Sequence, residues 1–133
     1  MISAVLREND VDVACITETW LKQSVPSEVV NIPGYAMHRR DRKDGQRGGG
    51  VAVFVRHNVP CIWLPSLESA NFEVVWLLYR QPRMPRAVSH VVIGAVYHPP
   101  SANARAMISY LHAGVVLIGD FNQLHDAALL AFP

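Results

Sequence analysis

Residues Gly114-Val-Val-Leu-Ile-Gly-Asp120-Phe-Asn122 decide how this chain is read: four aliphatic residues in a row, then a carboxylate and an amide at the tip. Such an aliphatic run reads as a buried strand. Side chains alternate along a strand, so Asp120 and Asn122 point to the same side. They sit at its carboxyl end, where open α/β sheets place ligands. A carboxylate there can hold a hard cation or take a proton from water, and an amide can donate to a phosphate oxygen. The plainer alternative is a strand end closed by an Asx turn.

Working outward, 133 residues suit a single domain that buries roughly two-thirds of its unfolded surface. Half the residues are hydrophobic and 17% are charged, a globular and not a disordered balance. The net charge of +1 gives no global attraction to nucleic acid, but Arg39, Arg40, Arg42, Lys43 and Arg47 gather five of the twelve basic residues in one stretch. Cys15 and Cys61 are isolated, which suits reduced thiols in an intracellular protein, and their spacing suggests no zinc site. Arg7, Glu8, Asp10 and Asp12 interrupt any signal-peptide core, and no apolar run reaches membrane-spanning length.

Ile2 to Glu8 reads as a short amphipathic helix stopped by Asn9-Asp10. Val11 to Thr17 reads as a strand, with Val11, Val13, Cys15 and Thr17 on one face and Glu18 at its end. Trp20 to Ile32 is a loop with helical turns. Tyr35 to Arg40 and Gly49 to Val55 are strands joined by the polar connection Asp41 to Gly48. Cys61 to Leu64, Phe72 to Tyr79 and Val88 to Tyr97 are further strands, the last stopped by Pro99-Pro100. Asn103 to His112 reads as a helix, and Val115 to Gly119 as the final strand. Gly48-Gly49-Gly50 precedes a strand, so it lets the returning chain pass close to its neighbours more readily than it cradles a phosphate.

Four segments fall in order: Ile16-Thr-Glu18-Thr-Trp20; Arg39-Arg-Asp41-Arg42 with Gly48-Gly-Gly-Val-Ala-Val53; Tyr97-His-Pro-Pro100; and Gly119-Asp-Phe-Asn122. Together, over Val11 to Leu124, they resemble the endonuclease/exonuclease/phosphatase superfamily, and most of all the endonuclease domain of non-LTR retrotransposons. The resemblance implies a four-layer α/β sandwich of the deoxyribonuclease I-like type, two mixed sheets face to face with helices outside. It implies hydrolysis of a phosphodiester with Mg²⁺, or Mn²⁺ in its place, and DNA as partner. By the same resemblance Glu18 is the metal-binding glutamate, Asp120 orients or deprotonates the attacking water, and Asn122 and Tyr97 reach the scissile phosphate. A strand-end aromatic packed on Pro99 is the plainer role for Tyr97. Arg39, Arg40, Arg42, Lys43 and Arg47 could follow a nucleic-acid backbone, although Asp41 and Asp44 partly cancel them. Glu73 reads as part of a core strand near the mouth of the site.

The departures from the family pattern define further expectations. The family's first strand, with its asparagine, precedes the helix at which this sequence opens, and Asn9 cannot replace it. No Ser-Asp-His occurs, and His125-Asp126 has the pair in reverse order. The helix before Val115 looks shortened. Residues 1–133 are therefore expected to form a single domain incomplete at both ends, with an apolar edge at the Val11 strand and the inner face of the first sheet uncovered. Little or no nuclease activity is expected from it, because catalytic sets lose severely when one member goes. The competing readings are an inactive remnant that binds nucleic acid or a partner, and a phosphatase acting on small phosphoesters. No membrane association and no obligate protein partner are expected, and action on DNA implies the nucleus.

Overall fold

Every side chain of Val51-Ala-Val-Phe-Val55 is buried, and the architecture is built around that strand. The computed structural model describes residues 2–43, 46–80, 90–99, 105–107 and the backbone of 116–120. In chain order the elements are α1 (Ile2–Glu8), β1 (Val13–Thr17), α2 (Ser27–Val30), β2 (Tyr35–Arg40), β3 (Val51–Arg56), β4 (Cys61–Trp63), a 3₁₀ turn (Pro65–Leu67), β5 (Glu73–Tyr79), β6 (Val91–Tyr97) and β7 (Val116–Asp120). The first sheet has the order β1-β3-β2 and the second β4-β5-β6-β7.

Alternation along β3 creates two cores at once. Val51, Val53 and Val55 face the second sheet and pack with Val75 and Leu77 of β5 and Ile93, Ala95 and Tyr97 of β6. Ala52 and Phe54 face the other way and pack with Leu6 of α1, Ile32 and Tyr35. Burying each such aliphatic side chain contributes about 1.5–3 kcal/mol, so the inter-sheet layer dominates the stability. On the outer face of the second sheet Val74, Trp76 and Val96 are buried, as is Met107 in the helical residues 105–107.

The strand readings hold for Tyr35–Arg40, and elsewhere shift by one to three residues at their ends. Four expectations are corrected. Val11 does not belong with Val13 and Cys15. Asp10 takes a left-handed φ of 54°, and Val11 turns back to bond Leu6 O through its N–H at 3.0 Å, so its side chain joins the α1 core. Gly49 and Gly50 do not start β3, because their φ values of 71° and 89° are incompatible with a ladder. The described strands of the first sheet are all antiparallel and not mixed, whereas the second sheet is mixed, with β7 running parallel to β6. A parallel partner needs a crossover, and helical residues 105–107 lie within it. The inner face of the first sheet is covered along β3 by β5 and β6. The less protected part is the edge strand β1, whose five residues are all half-buried.

Cys15 and Cys61 are free thiols, and burial pushes Cys15 up to about 11 and Cys61 above its ordinary value, so both stay protonated and weakly nucleophilic. Among the described residues no helix is long and apolar enough to cross a membrane.

Tyr35 ties α1 to the sheet: its buried hydroxyl donates to the Val11 carbonyl at 2.6 Å and lies 3.3 Å from that of Leu6. Tyr35→Phe keeps the ring and loses the donor, and is expected to lower unfolding free energy by about 1–2 kcal/mol in urea denaturation. An unchanged midpoint would show that the hydroxyl contributes nothing to this attachment.

Candidate active site

The strand registers gather one end of the sandwich. Thr17 of β1 lies opposite Val51, as does Arg40 of β2, so Glu18, Gly50 and Asp41 emerge together. In the second sheet Glu73 pairs with Tyr97, and Tyr97 pairs with Asp120. Residues far apart in sequence are thereby placed at one end by ladder geometry alone.

Glu18 is held on both oxygens. Tyr97 donates its hydroxyl to Oε1, and the Gly49 N–H donates to Oε2 at 2.9 Å. Its backbone is left-handed at φ 54°, as is that of Trp20 at 58°. Side chains rarely adopt this region, which costs of order 1–3 kcal/mol and concentrates at functional sites. The Tyr97 hydroxyl, then the Gly49 N–H, hold the Glu18 carboxyl below the usual carboxylate range against an opposing desolvation, with Trp20 and Arg42 adding to the lowering. Burial and the neighbouring Glu18 hold the Tyr97 hydroxyl above its ordinary value, and Arg42 partly opposes them. The pair is therefore a carboxylate facing a protonated phenol.

Tyr97 serves two purposes. Its ring belongs to the inter-sheet core while its hydroxyl reaches Glu18, so packing and site geometry are joined in one side chain. Arg42 lies 5.4 Å from the centre of that ring. The same guanidinium donates to Glu73 Oε2 through Nε at 3.3 Å and Nη2 at 3.1 Å, and Glu73 Oε1 accepts the Gly50 N–H. The alternation of β5 did not reveal this role. Its signal was an acid at the first position of an otherwise apolar strand.

Gly48-Gly49-Gly50, all with positive φ, does let the chain pass close by: a Cβ at Gly49 would lie 2.3 Å from Cζ of Arg42, and one at Gly50 2.5 Å from Oγ1 of Thr19. Its N–H groups are turned to two of the protein's own carboxylates. Successive N–H groups of this kind form a concave anion site.

The basic stretch is not one open stripe. Alternation sends successive arginines of β2 to opposite walls. Arg39 bonds Lys22 O at 2.9 Å and Asp41 at 3.0 Å, whereas Arg40 bonds Ser69 O at 2.9 Å and faces Glu68 at 3.8 Å. With Arg42 paired to Glu73, the exposed members of the five are Lys43 and Arg47. Beside Lys43 opens a cavity of about 650 Å³ lined by residues of the Gln23–Ser27 turn, the end of β2 and residues 70–73.

Of the sequence-derived site residues, Glu18 and Tyr97 are in direct contact, and Asp120 is brought opposite Tyr97 by the backbone register. Asn122, and the His125-Asp126 pair, lie outside the described residues. Among the described residues no three His, Cys, Asp or Glu side chains converge. The donors at Glu18 are oxygens, a chemistry that suits a largely hydrated hard cation and not a closed zinc site.

A family model described as Endonuclease/Exonuclease/phosphatase family matches residues 1–133. No curated protein matches the sequence significantly. Among solved structures, the endonuclease domain of TRAS1, a telomere-specific non-LTR retrotransposon, superposes with a TM-score of 0.64 at 12% identity, covering 91% of this chain and 51% of that one. The AP endonuclease LMAP from Leishmania major gives 0.61 at 15% identity, covering 84% and 41%. ANGEL2, a 2',3'-cyclic phosphatase, gives 0.52 at 21% identity, covering 98% and 45%. At these identities the likeness defines the fold, a deoxyribonuclease I-like α/β sandwich, and the chain spans about half the length of these structures or less.

Two outcomes follow from the hydrogen bonding. Because the folded Glu18 value is depressed, the stabilising contacts to its carboxylate are present above its unfolded value and are lost as pH falls through the folded one. Tyr97→Phe removes the main cause, so the Glu18 carboxyl is expected to titrate closer to the ordinary range by carboxyl NMR. A curve identical to wild type would assign the depression to Gly49 instead. Glu73→Ala takes the acceptor from Arg42 Nε and Nη2 and from the buried Gly50 N–H, and is expected to cost about 1–3 kcal/mol in chemical denaturation. A loss below about 1 kcal/mol would make the contact a surface pair.

Proposed function

We propose, from the fact that this chain belongs to the endonuclease/exonuclease/phosphatase family, that it hydrolyses phosphodiesters of DNA with a divalent metal, in the manner of a retrotransposon-type endonuclease. The observation that carries the reading is the Glu18–Tyr97 contact at the end of the sandwich where Asp120 also emerges.

Glu18, ionised and exposed, is the residue that would hold Mg²⁺, or Mn²⁺ in its place. When bound, the ion neutralises charge that develops on the phosphoryl oxygens. The Tyr97 hydroxyl cannot serve Glu18 and a phosphate with one proton, so with a cation on the carboxylate it would be free to donate to the phosphate. A donor held by the core needs little reorganisation to meet the developing charge. Asp120, one strand away, orients or deprotonates the attacking water, and Asn122 supplies a second donor to the phosphate. Lys43, exposed on the neighbouring cavity, and Arg47, exposed beside Trp20, are the cations a DNA backbone would meet. Arg39, Arg40 and Arg42 shape that cavity through their internal bonds.

Residues 1–133 contain no Ser-Asp-His, and a positioned acid–base pair contributes about 10²–10⁴-fold. With Mg²⁺ residues 1–133 are therefore expected to nick supercoiled plasmid more slowly than a family domain that carries that pair, by about that factor. The residual nicking should vanish with EDTA, in Glu18→Gln and in Asp120→Ala. Nicking that survives chelation and both substitutions would overturn the proposal. Phosphate released from small monoesters without plasmid nicking would move the substrate from DNA to a small phosphoester.

A further inference from the structure

Trp20 is more than half exposed at the mouth of this site, and its neighbours separate it from the other exposed apolar residues. Trp63, also exposed, is accounted for by its own surroundings: its indole N–H bonds Glu68 at 2.8 Å and its ring lies against His38 at 5.7 Å. Among the described residues the ring of Trp20 meets parts of the site. A Cβ at Gly48 would meet its six-membered ring at 3.5 Å, its indole N–H is turned toward Glu18, and the Arg47 guanidinium lies 5.6 Å from its centre.

The backbone adds a second argument. At φ 58° the position favours glycine or asparagine, yet it carries the largest side chain. The Trp20 N–H bonds Gly49 O at 3.0 Å, on the residue whose own N–H holds Glu18, so ring and carboxylate share one support. Arg42 Nη1 donates to the Arg47 carbonyl at 2.9 Å, which fixes the segment that presents the second cation. An exposed aromatic ring with the Arg47 guanidinium over one face and a carboxylate at its edge suits a nucleotide whose base has left its stack, the base taking the open face or the place of the guanidinium.

We infer that Trp20 is a stacking platform for an unpaired nucleobase next to the bound phosphate, with Arg47 meeting the adjoining backbone. This rests on the nucleic-acid reading above and deepens it: the preferred substrate carries single-stranded or locally opened DNA, not continuous duplex. Trp20 is a binding and positioning residue and takes no part in proton transfer.

The test is equilibrium binding by fluorescence anisotropy with Ca²⁺ standing in for Mg²⁺ to screen Glu18, with a short labelled single strand and the matching blunt duplex. Trp20→Asn suits the left-handed backbone while removing the ring, and Trp20→Phe keeps an aromatic face. Trp20→Asn is expected to weaken single-strand binding about tenfold, to change duplex binding by less than about twofold, and to leave the salt dependence unchanged, since stacking releases no counterions. Trp20→Phe should retain most of the affinity. Wild-type single-strand affinity in Trp20→Asn would overturn the platform while the DNA reading stood. Equal losses on both DNAs, or a reduced salt slope, would overturn stacking in favour of a general or electrostatic role. Failure of the wild-type protein to bind either DNA would overturn the nucleic-acid reading and the platform with it.

Discussion

The structure depends at its functional end on three consecutive glycines in the left-handed region. Gly49 and Gly50 turn successive N–H groups toward Glu18 and Glu73. Glu18 follows the last residue of β1 and Glu73 opens β5, so one short backbone segment links an acid of the first sheet to an acid of the second. Any other residue at Gly49 would place a carbon 2.3 Å from the Arg42 guanidinium, the group that also holds Glu73 and covers Tyr97. The constraint is mutual. Two carboxylates brought this close to one another's neighbours need donors and a cation, and the donors are available only because no Cβ stands in the way.

That arrangement explains how far the sequence could be read. The alternation in Val51 to Val55 specified a strand with two buried faces, and the ends of Tyr35–Arg40 were legible from the turn residues on either side. Glu18 and Tyr97 were legible by resemblance, but not their contact, since 79 residues separate them. Glu73 and Arg42 are 31 apart, and Arg40 reaches a carbonyl 29 away. Local periodicity states which way a side chain points and leaves open what waits there. The basic stretch shows the consequence: alternation alone puts Arg39 and Arg40 on opposite walls, and only the fold supplies Lys22 O on one and Ser69 O on the other. Val11 differs for a local reason, a left-handed Asp10 that no propensity demands.

The charge balance at this end also follows. Arg39 is matched by Asp41, Arg40 by Glu68 and Arg42 by Glu73, so three of the five charges in the basic stretch are met inside the protein. These pairs hold walls apart and define a cavity, a use of arginine that depends on its planar fork of donors. The field facing a polyanion then comes from fewer groups, the exposed Lys43 and Arg47. An ionised Glu18 would repel a phosphate unless a cation screened it, so on the proposed reading metal and phosphate would favour each other's binding at this end.

Tyr97 shows why such a site can persist on a strained backbone. Its ring is fixed among Val51, Val75 and Ala95 in the inter-sheet core, so the position of its hydroxyl is set by packing and not by the loop it meets. Interiors are close-packed and resist displacement, and an ångström of movement at the hydroxyl would break the bond to Glu18. The left-handed Glu18 backbone is costly by itself, but the carboxylate is met by a donor that cannot retreat and by the Gly49 N–H on its other oxygen. The buried strands β3, β5 and β6 thus bear the cost of the exposed geometry. The chemistry of the site is as stable as the core behind it, because one aromatic side chain belongs to both.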